Sequence, residues 1–427
     1  MYGSTSRPRR PRAQAQRTPT KRRRGCLTSS LVVVLLLVIG TTVLSLRPEL
    51  AAQSADMLRA VAGDEAVAQL EDTVFSVKDW AQHEAYQRGL MRSTAPWEAN
   101  TPVAVLPQPS VTPAPQGTPE PTRTKPVATV PPVATVPLPT PTPTAWQPAP
   151  LLDVGTMAGA GQWSPYLSDP AGRVVAYKTF VQPDPERPYV YAAVVAIDVR
   201  ATQLHFVLGS EEPISKVKLT RKGVIPAADR QSGALLAAFN GGFKARHGNF
   251  GAMLDGVTVL PPINHFGTIA LYQDGRIRIG AWGTDIVTTT GMLAWRQNGP
   301  LLIDHGTLNP HTADQTSQDW GIILNGVTAV ARSGIGISAD GAVLYYVAGD
   351  SLILPRLASA FVMLDVAYAM QLDINAVYVR FDTFQASPAG LVATPLLEAM
   401  KGEQQRYLRP WSRDFFYLTA TSDRVGG

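Results

Sequence analysis

Cysteine is almost absent from this chain, because Cys26 is the only cysteine among 427 residues. A single cysteine excludes an intramolecular disulfide, so a large core has to stabilise the folded part. Cys26 could carry a lipid, although an unmodified cysteine at a helix end is the simpler interpretation. Histidine is also rare, and His305 and His311, taken with Asp304 and Asp314, lack the spacing of a metal site. We therefore predict no bound metal and no cofactor.

Acidic residues are missing from positions 1–26, which contain nine lysines and arginines. Removing these nine positive charges from the formal net charge of +5 leaves −4 for the rest of the chain. This charge argues against a folded part that binds nucleic acid specifically, whereas the basic cytoplasmic tail could contact anionic lipid headgroups.

Charged residues are also missing from positions 27–46, which read LTSSLVVVLLLVIGTTVLSL. A run of this length can cross the hydrocarbon core of a bilayer as one helix. We predict a transmembrane signal anchor there, in contact with membrane lipid; a signal peptide cleaved near 51–52 is the alternative. The positive-inside rule then predicts a single-pass protein of the cell membrane, with 1–26 cytoplasmic and the C-terminal domain extracytoplasmic.

Two segments separate the predicted anchor from the C-terminal domain. Residues 47–95 contain apolar residues at three- and four-residue steps, which predicts a juxtamembrane helical stalk. Such a stalk could dimerise, or pack on the membrane or on the later domain. Residues 96–150 contain 17 of the 36 prolines together with ten threonines. Because this composition cannot build a core, we predict a disordered Pro/Thr-rich linker that acts as an extended spacer.

Residues 151–427 carry the signals of a folded domain. Apolar runs alternate with Asn-Gly and Asp-Gly pairs, as at 325–326 and 340–341, which is typical of β-hairpins. A helix follows, with Pro355 in its first turn and apolar residues up to Leu372 on one face. We predict an α+β domain, mostly an antiparallel, hairpin-rich sheet with packed helices.

A pair of glycines ends one of the apolar runs, where residues 240–243 read Asn-Gly-Gly-Phe. Glycine has no Cβ, so a ligand can closely approach the backbone N–H groups of such a segment. The alternative is a strand that simply ends in a tight turn.

Four blocks of sequence occur in the order that is typical of one family. They are Asn240-Gly241-Gly242-Phe243 with Asp255-Gly256, Asn298-Gly299-Pro300-Leu301-Leu302, the segment 331–337 with Asp340-Gly341, and Met370-Gln371-Leu372-Asp373. Through these blocks, over roughly residues 190–420, the chain resembles the phosphodiester glycosidase family (N-acetylglucosamine-1-phosphodiester alpha-N-acetylglucosaminidase-like domains). The resemblance implies a domain of that fold which acts on a sugar phosphodiester.

The chain departs from the family pattern in the fourth block. The family carries Asn-Leu-Asp-Gly-Gly-Gly-Ser there, whereas this chain continues from Asp373 into Ile374-Asn375-Ala376-Val377. The glycines of the family would let backbone amides approach a phosphate or a sugar. Side chains at these positions fill that space and predict a strand over 374–381. The aspartate is therefore kept, while the glycine cradle for an anion is not.

Glycosidic bond cleavage commonly needs two carboxyl groups. The resemblance implies Asp373 as the first catalytic candidate, and Asp255 is the second. The structural alternatives are a buried acid bonded to loop amides for Asp373 and a turn residue before Gly256 for Asp255.

The same region supplies a predicted substrate-binding set. It consists of Asn240, Gly241, Gly242, Arg332 and His247. Asn240 could bond a sugar hydroxyl or merely tolerate an unusual backbone angle. Arg332 could hold a phosphate, or form a buried ion pair with Asp373. His247 could transfer protons, and an incidental surface histidine is its alternative.

Two functions are compatible with these features. The first is a membrane-anchored, extracytoplasmic phosphodiester glycosidase-like hydrolase that acts on a sugar phosphodiester or a cell-envelope glycan. The second is a catalytically inactive glycan-binding or envelope-organising module on the same fold. The retained residues Asn240, Arg332 and Asp373 favour the first, and the missing glycines favour the second.

Overall fold

The computed structural model describes residues 63–97, 146–231, 233–314, 318–320, 328–400 and 402–421, together with Gly3. The chain divides into two compact units, Met1–Asp56 and Met57–Gly427, and every element described below belongs to the second unit.

The described part of the chain is largely β. The strands are β1 Ser164–Ser168, β2 Val174–Val181, β3 Ala192–Asp198, β4 Thr202–Val207, β5 Leu235–Asn240, β6 Ala252–Leu254, β7 Val257–Leu260, β8 Gly267–Tyr272, β9 Ile277–Ala281, β10 Met292–Gln297, β11 Leu301–Asp304, β12 Thr307–Leu308, β13 Val330–Ile337, β14 Val343–Leu352, β15 Tyr368–Ile374, β16 Phe381–Ser387, β17 Gly390–Pro395 and β18 Phe415–Ala420. The α-helices are α1 Asp64–Gln87, α2 Ala227–Gln231 and α3 Leu354–Met363. Short 3₁₀ helices span Ala245–His247, Pro310–Ala313, Gln318–Trp320 and Arg406–Leu408. The predicted α+β class is therefore wrong, because three antiparallel sheets dominate and helices are few.

The three sheets have the orders β1-β2-β3-β14-β13-β15-β11-β12, β7-β6-β10-β8-β9 and β17-β16-β5-β18-β4. The strand pairs within them are antiparallel. The largest hydrophobic cluster draws buried residues from all three sheets, among them Val195, Phe239 and Ile269. A shared core of this kind makes the three sheets one cooperative body.

Two glycines of β13 allow α3 to lie close to the eight-stranded sheet. A Cβ atom on Gly334 would come within 2.8 Å of the Phe361 ring, and one on Gly336 within 2.9 Å. Real side chains do not tolerate such distances, so these positions require glycine for the fully buried Phe361 to pack. The glycines of the third sequence block thus have a structural role.

The predicted helix is shorter than the sequence indicates. Pro355 lies in its first turn as expected, but α3 ends at Met363 and Asp365 follows with a positive φ of 51°. Tyr368 and Leu372 lie in β15 instead of on the helix. The predicted strand over 374–381 is also wrong, because β15 ends at Ile374 and the next strand, β16, begins only at Phe381.

Helix α1 packs on the domain that follows the Pro/Thr-rich segment, which is one of the three alternatives for the stalk. Asp79 pairs with Arg187 at 2.6 Å, and the rings of Tyr86 and Tyr189 lie 5.1 Å apart. Arg187 also pairs with the buried Asp184 at 2.8 Å. The helix is thereby attached to the connection between β2 and β3.

Strand β2 holds both ends of the Pro/Thr-rich segment. Trp97 contacts Phe180 with ring centroids 5.8 Å apart, and Trp146 contacts Tyr177 at 5.6 Å. Residues 98–145 between the two tryptophans lie outside the described residues. The described residues on either side of the segment therefore contact the same strand, and the disordered linker between them stays a prediction.

The membrane prediction is corrected by the structure. Among the ranges described above, no helix is both long enough and apolar enough to cross a membrane. The predicted signal anchor at 27–46 lies outside those ranges. On this finding, the prediction of a single-pass membrane protein with an extracytoplasmic domain is not retained.

Replacing Arg187 by alanine tests the attachment of α1. The change leaves the buried Asp184 carboxylate without this ion-pair partner, so we expect the free energy of unfolding in urea to fall by about 3 kcal/mol. Arg173→Ala is the matched control, because Arg173 pairs with Asp169 at 3.0 Å but is half exposed. The control should cost under about 1 kcal/mol. Equal losses in the two variants would contradict the stabilising role of the buried Arg187–Asp184 pair that positions Arg187 against α1.

Candidate functional site

The candidate site lies where three segments from different parts of the chain meet. Strand β5 ends at Asn240, which is the register partner of Phe415 at the start of β18. The backbone N–H of Asp373, near the end of β15, donates to the Gly241 carbonyl at 3.0 Å. The residues that follow β5 and those that precede β18 therefore surround Asp373.

Asp373 is a buried carboxylate in an ion pair. Its Oδ2 accepts a hydrogen bond from Arg413 Nη2 at 2.5 Å, and its Oδ1 accepts one from the Ile374 backbone N–H at 2.9 Å. Eight per cent of its side-chain surface is exposed, so the carboxyl group lies just beneath the protein surface. Burial, with a smaller contribution from Asp414, raises the pKa of Asp373 to about 6 although Arg413 and Lys244 act to lower it.

Arg413 is the residue that holds Asp373 in place, and the sequence analysis missed it. Its Nη2 also donates to the Gly242 carbonyl at 2.9 Å, and its guanidinium lies 4.4 Å from the centroid of the Tyr378 ring. Burial, the largest single effect, acts to lower the pKa of Arg413, but Asp373, Tyr378, Asp414 and Glu212 together outweigh it and raise the pKa. Arg413 Nε has no hydrogen-bond partner in the described part of the chain.

Lys244 and Tyr378 cover the ion pair on its outer side. Both side chains are half buried, and Lys244 Nζ lies 5.6 Å from the Tyr378 ring centroid. The positive charge of Lys244 acts to lower the pKa of Asp373, which indicates that the two charges lie near each other. The outer rim of the site is therefore cationic and aromatic.

The glycine pair after β5 contacts a carboxylate of the protein itself. The N–H of Gly241 donates to the Asp414 carbonyl at 3.1 Å, and that of Gly242 donates to Asp414 Oδ2 at 3.2 Å. The next N–H, of Phe243, donates to Asn298 Oδ1 at 2.9 Å. The expectation of bare amides that await a ligand is therefore wrong, since all three donors already have partners.

Asp414 in turn is held by a second buried arginine. Arg296 Nε lies 2.8 Å from Asp414 Oδ2, and both side chains are almost fully buried. The remaining nitrogens of Arg296 donate to backbone carbonyls, including that of Phe243 at 2.7 Å. Asp414 Oδ1 has no hydrogen-bond partner among the residues that the structure describes.

Asn240 is committed to structural hydrogen bonds. Its Nδ2 donates to Ser333 Oγ at 2.9 Å, and its Oδ1 accepts from the Tyr346 hydroxyl at 2.9 Å and from the Arg380 N–H at 3.0 Å. Ser333 Oγ donates in turn to the Asp373 carbonyl at 2.9 Å. Asn240 therefore connects β5 to the backbone of Asp373 and does not point a spare group into the site.

One interpretation of the sequence was an ion pair between Arg332 and Asp373, and the structure does not show this pair. Arg332 donates instead to the Leu352 carbonyl at 2.8 Å and to Gln371 Oε1 and the Thr328 carbonyl at 3.4 Å. Because no carboxylate compensates its burial within the described residues, the pKa of Arg332 is lowered to about 10.

The two remaining candidates lie apart from the ion pair. His247 ends the 3₁₀ helix Ala245–His247 and accepts a hydrogen bond from Arg246 Nε at 3.1 Å. Asp255 has a φ of 50° in the turn between β6 and β7. Within the described ranges, Asp373 makes no hydrogen bond or ion pair with either residue. Their predicted roles stay predictions.

Replacing Gly241 by alanine tests the close packing on Asp414. A Cβ atom on Gly241 would lie 2.4 Å from Asp414 Oδ2, against 3.0 Å from Asn298 Oδ1 for one on Gly242. We expect Gly241→Ala to lower the free energy of unfolding by about 3 kcal/mol, at the upper end of overpacking costs. Gly242→Ala is the matched control and should cost less in the same urea titration. The reverse order would contradict this geometry.

Comparison with known proteins gives a distant, fold-level likeness. No protein-family model matches this chain, and no curated protein sequence matches it. The catalytic domain of zebrafish N-acetylglucosamine-1-phosphodiester alpha-N-acetylglucosaminidase, solved in a form auto-inhibited by its pro-peptide, aligns with a TM-score of 0.37 and 14% identity. That alignment covers 60% of this chain and 91% of the zebrafish chain. A hypothetical protein from Synechocystis aligns with a TM-score of 0.33 and 12% identity, over 60% of this chain and 64% of its own. The chain is thus weakly similar in fold to a glycosidase domain, and the family is not established.

Proposed function

We propose that this protein is a glycoside hydrolase of sugar phosphodiesters in which Asp373 acts as the general base. The observation that carries the proposal is the Asp373 carboxyl group, which lies just beneath the surface with a pKa of about 6 and is oriented by Arg413. A catalytic base works best when its pKa is near the operating pH. An ordinary surface aspartate would be a much weaker base.

Hydrolysis of the glycosidic bond in a sugar phosphodiester depends on a general base more than on a general acid. When the bond between the anomeric carbon and the phosphate oxygen breaks, the leaving group is a phosphate monoester. Its second pKa is about 6, so it departs without needing a proton from the enzyme. The attacking water must lose a proton as its oxygen bonds to the anomeric carbon. Asp373 Oδ1 would take that proton, since Oδ2 is held by Arg413.

The cationic rim of the site suits the phosphate of such a substrate. Lys244 is half buried on the outer side, and the buried guanidinium of Arg413 adds a second positive charge beneath it. Charged hydrogen bonds from lysine and arginine are the usual way to bind phosphate oxygens. The Tyr378 ring packs against both cations, 4.4 Å from the Arg413 guanidinium and 5.6 Å from Lys244 Nζ.

A second function, a glycan-binding module without catalysis, is favoured by one specific observation. The polar groups of Asn240, Gly241 and Gly242 are used inside the protein, so the segment that carries the family resemblance has no donors left for a transition state. Under this alternative, Asp373 and Arg413 would be a structural ion pair below a sugar-binding surface.

Hydrolysis of a chromogenic N-acetylglucosamine-1-phosphodiester by the full chain separates the two functions. We expect turnover that falls at least 100-fold in Asp373→Asn, which is the usual loss when a general base is removed. Asp274→Asn is the matched control, because Asp274 is an exposed residue in the turn between β8 and β9. The absence of turnover in a folded wild-type chain that still binds the sugar would contradict the proposed hydrolase activity and favour a glycan-binding module.

The pH profile gives an independent check on Asp373. The reactive form is the ionised carboxylate, so kcat/KM should rise about tenfold per pH unit below 6 and level off above it. Lys244 lowers the pKa of Asp373, and its removal in Lys244→Gln should move the rise to higher pH. An unmoved profile, or a rate that falls as pH rises through 6, would show that Asp373 is not the base.

A further inference from the structure

A second cluster of chemically active side chains lies at the other end of β15. Tyr368 is the first residue of this strand and Asp373 is five positions further along, which corresponds to about 17 Å in an extended strand. Asp304 ends β11, His305 follows it, and Asp285 lies in the connection between β9 and β10. The cluster is therefore distinct from the candidate site around Asp373.

His305 is in contact with the three other side chains. Its Nδ1 lies 2.8 Å from Asp304 Oδ1, and its Nε2 lies 2.7 Å from the Tyr368 hydroxyl. The distance from Nε2 to Asp285 Oδ1 is 3.5 Å, and the Tyr368 hydroxyl lies 3.5 Å from the same oxygen. The second oxygen of Asp285 accepts the Ala281 N–H at 2.8 Å, which fixes the carboxylate.

We propose that this cluster binds a divalent transition-metal ion of the zinc type, with His305 Nε2 and Asp285 Oδ1 as ligands. Asp285, Asp304 and His305 each present one ligand atom, and these atoms lie within 4.8 Å of one another. Two ligands of a tetrahedral zinc ion, each about 2.0–2.1 Å from the metal, are about 3.4 Å apart. The 3.5 Å between His305 Nε2 and Asp285 Oδ1 matches that separation.

Asp304 acts as a positioning residue for the imidazole. A metal-binding histidine usually donates its other ring nitrogen to a carboxylate, which fixes the tautomer and turns the ligating nitrogen toward the metal. The bond between Asp304 and His305 Nδ1 has this geometry. The Tyr368 hydroxyl lies 2.7 Å from His305 Nε2, too close for both to be ligands of one ion, so it would give up this contact and water would complete the coordination sphere.

The ligand types select the class of ion. Imidazole nitrogen suits zinc and neighbouring transition metals, whereas magnesium and calcium prefer oxygen ligands alone. The ion would connect the β9–β10 loop of a five-stranded sheet to β11 and β15 of the eight-stranded sheet. We infer a structural staple between the two sheets, because ligands from both would be held by one ion.

Zinc titration of the untagged full chain tests the proposal by calorimetry and thermal unfolding. All samples carry Cys26→Ser, so that the thiol cannot bind the added ion. We expect one equivalent of Zn²⁺ to bind and raise Tm, and Mg²⁺ to have no effect at the same concentration. His305→Gln should abolish the Tm increase, and Asp304→Asn should weaken affinity about tenfold, as loss of a positioning carboxylate does.

Loss of zinc binding in these variants would not result from unfolding, because His305 and Asp304 are exposed and their replacement should leave the fold intact. His311→Gln is the matched control, since His311 is an exposed histidine in the 3₁₀ helix Pro310–Ala313. It should retain wild-type zinc affinity. The proposal is overturned if wild type shows no Zn²⁺ binding, or if His305→Gln and His311→Gln bind Zn²⁺ equally well.

Discussion

The buried ion pair between Arg296 and Asp414 is the interaction on which the rest of this site depends. Arg296 belongs to β10 of one five-stranded sheet, and Asp414 directly precedes β18 of the other. The same carboxylate group accepts the N–H of Gly242. A buried charge that loses its partner costs about 3–5 kcal/mol, so neither residue can be changed alone without disturbing the glycine segment.

Asn298 extends this network to the third sheet. It accepts the Phe243 N–H and donates from Nδ2 to the carbonyls of Gln371 at 2.9 Å and Leu372 at 3.1 Å. These carbonyls belong to β15, directly before Asp373. Because the network buries Asp373, the carboxyl group is harder to ionise than a surface aspartate, and its pKa is raised. The buried hydrogen-bond network that links the three sheets therefore also raises the pKa of Asp373.

Sequence reasoning singled out residues that the structure brings together, but not their partners. Asn240, the glycine pair and Asp373 do converge; local composition singled out the glycine segment, and the family resemblance singled out Asp373. Arg413 was missed because its contact with Asp373 spans 40 positions, and Arg296 meets Asp414 over 118. Such pairs depend on strand order, which places β18 beside β5, and no local pattern encodes that order.

The prediction of an α+β fold was wrong for a related reason. Residues 364, 368 and 372 recur every four positions, a step that fits one face of a helix and one face of a strand equally well. The sequence therefore predicted a longer α3, whereas the chain turns at Asp365 and continues as β15. The Asp-Gly signal at 340–341 identified the hairpin between β13 and β14, whereas the predicted turn at 325–326 lies outside the described residues. Such signals do not tell how hairpins assemble into sheets.

Two tryptophans that contact β2, Trp97 and Trp146, bear on how the length of the Pro/Thr-rich segment can change during evolution. Trp97 and Trp146 both contact one strand, so the described residues on either side of this segment are close to the same part of the fold. The entropy of closing a loop grows only with the logarithm of its length, about 0.6 kcal/mol for each doubling. Repeat units such as the duplicated PVATVP at 126–137 can accumulate there at little cost in stability, and a cut within it would leave α1 bound by Arg187.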